Sequence, residues 1–137
     1  MALPPELIEA YEKADYVVFT APELVLRIGE PSPRLDALLE AEGATAAAYL
    51  TAANPRGELK TEAENRSAGA ALAELLASAG YPRYAGEGRD PDNKRAAEPS
   101  VLVVGIYRAN AAALGRLFGQ NAIVFVEKGE APELVIC

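Results

Sequence analysis

The sequence predicts an α+β fold, α/β-like in its alternation, with a single mixed β-sheet of about five to seven strands and three or four packed helices. Three observations predict it. Capped helical stripes alternate along the chain with short β-rich runs. The run 100–107 is apolar on both faces, which suits a central strand. The 137 residues, half of them hydrophobic, can bury one core, so one globular domain over residues 1–137 is expected.

Pro4 and Pro5 open a short helix with Leu7, Tyr11 and Ala14 on one face. Residues 16–20 and 24–28 are β-rich runs joined by Ala21-Pro22-Glu23, a hairpin pattern. Ser32-Pro33 is an N-cap with Pro at the first helical position; Leu35, Leu38 and Leu39 form the stripe, and Gly43 stops the helix. Residues 44–51 read as a buried strand. Asn54-Pro55-Arg56-Gly57 is a loop by residue type.

Thr61-x-x-Glu64 is a capping box. The long helix it opens runs to Ala79 and ends at Gly80, with a stripe of Asn65, Ala68, Leu72, Leu75, Leu76 and Ala79. Residues 81–85 suit a strand, and 86–99 a long loop rich in Gly, Pro and charge. After the central strand, 108–118 is an Ala/Leu helix closed by Gly119, and 122–127 is a strand. Gly129-Glu130-Ala131-Pro132 turns the chain, and 134–137 pairs back as the last strand. As an exposed edge, that strand offers a route to a homodimer.

Composition excludes several function classes. Thirteen Lys+Arg against twenty Asp+Glu give net charge −7, a poor match to DNA phosphates, so no nucleic-acid partner is expected. The chain has no His, which removes Ser-His-Asp and Cys-His catalysis, the H-E-x-x-H helix and His-ligated zinc. Its one Cys, Cys137, allows neither an intrachain disulfide nor a Cys-based zinc site and fits a reducing cytoplasm, the expected location. The N-terminal stretch carries Glu6, Glu9 and Glu12 and does not read as a signal peptide. The run 101–107 is too short to span a bilayer, so no membrane partner is expected either.

Element direction then gathers the polar residues. Let 44–51 run up the sheet. With short connections and alternating directions, the loop 54–60, the start of the helix from Thr61, the loop 86–99, the start of the central strand and Gly119-Gln120-Asn121 all fall at the upper edge. Thr51, Asn54, Glu64, Asn65, Glu98, Ser100, Gln120 and Asn121 therefore share one edge, where such folds place ligands.

Each of these residues has a plainer role to set beside a ligand contact. Asn65 lies on the core stripe of its helix, so its amide either ties the 54–60 loop to that helix or meets a ligand. Glu64 is the reciprocal partner of the Thr61 cap or a catalytic carboxylate. Glu98 is a solvated strand-edge carboxylate or an acid/base or metal-ligand group. Turn chemistry accounts for Asn121 better than for Gln120. Arg56, Lys60 and Arg66 form a solvated face or hold an anion near a helix N-terminus. Gly86-Glu87-Gly88 lacks the third Gly of a dinucleotide fingerprint, and Asp90-x-Asp92 lacks the rest of a calcium loop.

The ordered set Thr51-Ala52-Ala53-Asn54-Pro55, Glu64-Asn65, Gly86-Glu87-Gly88, Glu98-Pro99-Ser100 and Phe118-Gly119-Gln120-Asn121-Ala122 resembles a small bacterial family, domain-of-unknown-function family 3293. The resemblance spans roughly residues 16–135. It implies that Thr51, Asn54, Glu64, Asn65, Glu98, Ser100 and Gln120 occupy the family's polar motif positions. The resemblance assigns neither an activity nor a cofactor, and both stay open. One departure stands out: the family pattern has an aromatic residue just before E-x-S, where this chain has Arg95-Ala96-Ala97.

The expected function is a binding domain for a small anionic or nucleotide-like ligand, held by Thr51, Asn54, Arg56, Asn65, Ser100, Gln120 and Asn121. Two alternatives stand beside it: a carboxylate enzyme using Glu98 with Glu64, with Mg²⁺ as a possible helper, and a protein-interaction module.

Overall fold

The computed structural model describes residues 3–137; Met1 and Ala2, included in the single-domain expectation, lie outside the described residues. Along the chain come α1 (Pro5–Lys13), β1 (Asp15–Val18), β2 (Leu24–Leu26), α2 (Pro33–Glu42), β3 (Ala46–Thr51), α3 (Glu62–Ala79), β4 (Arg83–Arg89), β5 (Glu98–Val104), α4 (Arg108–Leu117), β6 (Ala122–Glu127) and β7 (Glu133–Ile136). A single 3-10 turn, Pro55–Gly57, sits between β3 and α3. Four helices and one sheet of seven strands make this an α+β fold.

The strand order is β2-β1-β4-β5-β3-β6-β7, and every neighbouring pair is antiparallel, where a mixed sheet was expected. The reason is a skipped position in each crossover. α3 joins β3 to β4, which run the same way, but β5 lies between them. α4 joins β5 to β6 in the same manner across β3. The element directions inferred from the sequence therefore hold, although no two parallel strands touch.

The helix ends follow their sequence signals. The Ser32 hydroxyl accepts from the Leu35 N–H, and Gly43 closes α2 in the left-handed conformation at φ 68°. Thr61 and Glu64 form the reciprocal capping box of α3, and Gly80 closes it at φ 80°. The α3 stripe is narrower than its spacing suggests. Leu72 and Leu76 are buried, but Leu75 and Ala79 face solvent, because the helix touches the sheet along one line only.

The loop placed at 86–99 is shorter than expected. Gly86, Gly88 and Arg89 belong to β4, which pairs on both sides, with β1 and β5. Two ladders outweigh the low strand propensity of glycine. The central strand stops at Val104, and Gly105 turns the chain at φ 83°.

The two faces of the sheet carry separate cores. On the outer face, Ala48, Leu50, Val103, Ile123 and Phe125 pack against Leu72 and Leu76 of α3 and Ala111 of α4. On the inner face, Leu26, Ala47, Leu102, Val104, Val124 and Val126 pack against Leu35 and Leu39 of α2. Burying one such leucine side chain contributes about 1.5–3 kcal/mol. The sheet curls around its inner face, and the Gly29 N–H beyond β2 donates to the Pro132 carbonyl before β7 at 2.9 Å. α2 crosses the lower part of this face, from the β1–β2 turn, where Arg34 donates to the carbonyls of Pro22 and Glu23, to the β6–β7 turn, where the Gly129 N–H meets Asp36. The upper part is left without a buried lid. Among the described residues no helix is long and apolar enough to cross a membrane.

Candidate functional site

The site begins with the turn after β3. Thr51 ends the strand, and its hydroxyl donates to the Pro99 carbonyl at 2.7 Å while accepting from the Ala53 N–H at 3.0 Å. The chain then bends through two non-glycine residues in the left-handed region, Asn54 at φ 47° and Arg56 at φ 57°. Such residues persist only where their surroundings hold them. The Arg56 N–H is tied to the Gly119 carbonyl at 2.7 Å. A Cβ at Gly119 would stand 2.8 Å from the Pro55 Cβ, so only glycine lets the two turns touch so closely.

Asn54 is the hub. Its backbone N–H donates to Asn65 Oδ1 at 3.0 Å. Its Oδ1 accepts from the Lys60 N–H at 2.9 Å and from Asn65 Nδ2 at 3.0 Å. Its Nδ2 donates to Glu98 Oε2 at 2.7 Å. Asn65 is thus the tie between loop and helix that its stripe position allowed, and its side chain stands behind Asn54, off the cleft wall.

The Gln120 turn arrives at the same edge. Gln120 Nε2 donates to the carbonyls of Ala53 at 3.1 Å and Phe118 at 3.3 Å. Asn121 Nδ2 reaches the Tyr11 hydroxyl of α1 at 3.3 Å. The Ser100 hydroxyl donates to the Glu98 carbonyl at 2.9 Å.

These segments border a cleft of about 920 Å³ on the upper inner face of the sheet. Thr51, Asn54, Arg56, Glu98, Ser100, Gln120 and Asn121 line it. Glu64 and Asn65 do not. Glu64 is exposed and occupied by the cap, where the Thr61 backbone N–H holds its carboxyl below the usual carboxylate range. With that cap in place, the first turn of α3 supplies its own acceptors, so the anion site imagined there for Arg56, Lys60 and Arg66 has only Arg56 at the cleft. Lys60 pairs with Glu58 at 3.4 Å.

Sequence reasoning missed the aromatic part of the cleft. Tyr16 and Tyr49 form its floor, packed edge to face with centroids 5.4 Å apart, and Tyr11 contributes from α1. The Tyr49 hydroxyl donates to the Val17 carbonyl at 2.7 Å, and the Tyr16 hydroxyl donates to the Tyr11 carbonyl. Burial pushes both phenols well above their ordinary value. A signal was available in the period of two. Tyr49 and Thr51 share a face, as do Gly86 and Gly88; Gly88 leaves open space in the cleft, and the space over Gly86 is taken up by its neighbours. At Gly86 a Cβ would stand 3.0 Å from the Tyr49 hydroxyl.

Charges of both signs line the cleft, with Glu6, Glu9, Asp90, Asp92 and Glu98 beside Lys13, Arg56, Arg89, Lys94 and Arg95. Arg56, Lys94 and Arg95 line the cleft, and among the described residues none of them is in an ion pair. Arg89 is held by Glu87 and Glu23, and Lys13 by Asp92 at 2.7 Å. Among the described residues no group of three or more acidic or sulfur side chains is placed to hold a metal ion.

An antiparallel α+β fold with a polar, tyrosine-floored cleft at the upper edge of its sheet is the class of protein these features define. The chain belongs to the family described as Protein of unknown function (DUF3293), whose sequence model matches residues 50–123, just over half of the chain. The matched stretch holds the Asn54 turn, α3, Glu98, Ser100 and the Gln120 turn, and it omits α1, β1, β2, α2, β7 and most of β3. No curated protein and no solved structure matches the chain.

Proposed function

We propose that the cleft binds a small anionic, nucleotide-like ligand. The observation that carries this reading is the placement of Arg56, Lys94 and Arg95, cations without carboxylate partners, above a tyrosine floor on a chain of net charge −7. The lining carries as many carboxylates as cations, and these three cations, free of ion pairs among the described residues, are the groups open to an anion. The strained Arg56 backbone supports the same reading, since left-handed non-glycine residues cluster where a side chain must be aimed.

The two-carboxylate alternative has less support, because Glu64 is engaged in its cap and only Glu98 reaches the cleft. Self-association through β7, one of the two unshared edges of the sheet, is a separate proposal; sedimentation of the wild type against Ile136→Pro, which removes an outward-facing N–H, tests it.

Thermal-shift measurements with nucleoside monophosphates and inorganic phosphate test the binding reading. A ligand at a hundred times its Kd stabilises by about 2.7 kcal/mol, a shift of several degrees. Arg56→Gln is expected to remove most of it. No shift above about 1 °C from any of these ligands at millimolar concentration overturns the proposal.

A further inference from the structure

We infer that Glu98 selects the ligand: the cleft takes a nucleotide whose base carries an exocyclic amine, with the amine N–H on Glu98 and the phosphate on the Arg56, Lys94 and Arg95 rim. This rests on the binding reading above and narrows it.

The argument starts from hydrogen-bonding capacity. An ionised carboxylate accepts about four hydrogen bonds and donates none. Glu98 accepts one from a side chain, from Asn54 Nδ2 at 2.7 Å, and among the described residues no cation pairs with it. It lines the cleft and is half-buried. Most of its acceptor capacity is therefore unused, at a residue that lines the cleft.

The carboxylate is also held in place. Asn54 Oδ1 takes two donors, the Lys60 N–H and Asn65 Nδ2. A flipped amide would set nitrogen against both donors and oxygen against Glu98, so the amide has one orientation. Asn54, Asn65 and the Lys60 backbone are thus positioning groups for Glu98. A fixed acceptor-only surface accepts an amine and repels a carbonyl at the same place, because the carbonyl would bring lone pairs against lone pairs.

The surroundings suit a flat base. Gly88 stands opposite Glu98 in the β4–β5 register, and a Cβ there would meet nothing within 4 Å. Tyr16 lies opposite Gly88 on the other side, in β1. The strand floor beside Glu98 is therefore hollow and edged by an aromatic ring, with the three rim cations left for the phosphate.

The test compares near-isosteric pairs by titration calorimetry. CMP and UMP differ where an amine replaces a carbonyl, and AMP and IMP repeat the contrast in a purine. In at least one pair the wild type is expected to bind the amine-bearing member about tenfold tighter or more. Glu98→Gln keeps an acceptor for Asn54 and adds an amide N–H, so it is expected to abolish or reverse that ratio while phosphate-dependent affinity persists. Equal wild-type affinities within both pairs, with binding still lost in Arg56→Gln, overturn the Glu98 inference and leave the cleft reading intact. No binding of any of the four nucleotides overturns both. The wild-type ratio decides the question even where Glu98→Gln fails to fold.

Discussion

The lower and upper halves of the inner face are built from the same strands and look inward from the same side of the sheet, yet they do opposite things. Along β3 the inward residues are Ala47, Tyr49 and Thr51; along β5, read the other way, they are Val104, Leu102, Ser100 and Glu98. Each strand changes from apolar to polar as it rises. α2 seals the lower half with Leu35 and Leu39, both fully buried. Over the upper half α1 buries no residue at all and is fastened by polar contacts, among them Lys13 to Asp92 and Asn121 to Tyr11. One face thus holds a core and a cleft, divided at the level of the tyrosines. The first is packed with apolar side chains, and the second is the cleft to which the proposed binding is assigned.

Breaking the lower half is the sharpest way to test that division. Leu39→Ala removes a fully buried side chain between α2 and the sheet and is expected to cost about 2–5 kcal/mol in urea unfolding. Ligand affinity per folded molecule is expected to stay within about twofold, since Leu39 does not line the cleft. A large loss of affinity in molecules that remain folded would merge the two halves.

Gly86→Ala attacks the boundary itself. A Cβ there would sit 2.0 Å from the Val17 carbonyl oxygen and 3.0 Å from the Tyr49 hydroxyl, so β1 or β4 must move. The cost is expected at the upper end of about 1–3 kcal/mol, the range for overpacking, with binding weakened as well because the floor tyrosine shifts. Stability and affinity read on the same sample separate this variant from Leu39→Ala.

How much of this contrast was legible in the sequence depends on the distance over which the signal acts. Ser32, Gly43, Thr61, Glu64 and Gly80 mark helix ends through contacts a few residues away, and all five do so. The gathering of Asn54, Glu98 and Gln120 at one edge needed only element direction, which short connections fix. Strand order is a long-range property, and it decided what was missed. β5 slots between β4 and β3, which turns Gly86-Glu87-Gly88 from loop into strand and brings Tyr16 and Tyr49 within 5.4 Å of each other. Nothing local to Tyr16 announces Tyr49. Asn65 was legible in kind, an amide on a core stripe, and its partner became clear only with the fold.

The tyrosines at the boundary give the division a pH signature. Burial raises the phenol pKa of Tyr16 and Tyr49 above the ordinary 10.0, so the folded state keeps protons that the unfolded chain releases. Their stabilising contribution is intact below about pH 10 and falls as the pH rises further, by at most about 1.4 kcal/mol per pH unit for each tyrosine. Urea midpoints measured between about pH 9 and about pH 11 are expected to decline. Tyr16→Phe should make that decline shallower, while at neutral pH it loses only its hydrogen bond to Tyr11, about 0.5–1.5 kcal/mol. Unchanged steepness in Tyr16→Phe would mean that the phenol is not buried as described.

The smallest expected effect concerns Glu64, which sits near the cleft in sequence motif and apart from it in structure. Its carboxylate accepts from the Thr61 N–H at 3.0 Å, and Thr61 in turn caps the Glu64 N–H at 3.0 Å. Glutamine serves equally well at this position of a capping box, so Glu64→Gln should leave the melting temperature almost unchanged, whereas Glu64→Ala should lower it slightly. The lowered pKa adds a sign: the charge contributes stability above the ordinary carboxylate value of 4.5, and that contribution fades as pH falls through the lowered value, in the wild type and not in Glu64→Gln. Neither variant should change nucleotide affinity or selectivity, because the residue belongs to the helix cap and not to the cleft wall. Loss of ligand binding in a fully folded Glu64→Gln would instead return this carboxylate to the site, and would mean that α3 approaches the cleft more closely in the bound state than in the structure described.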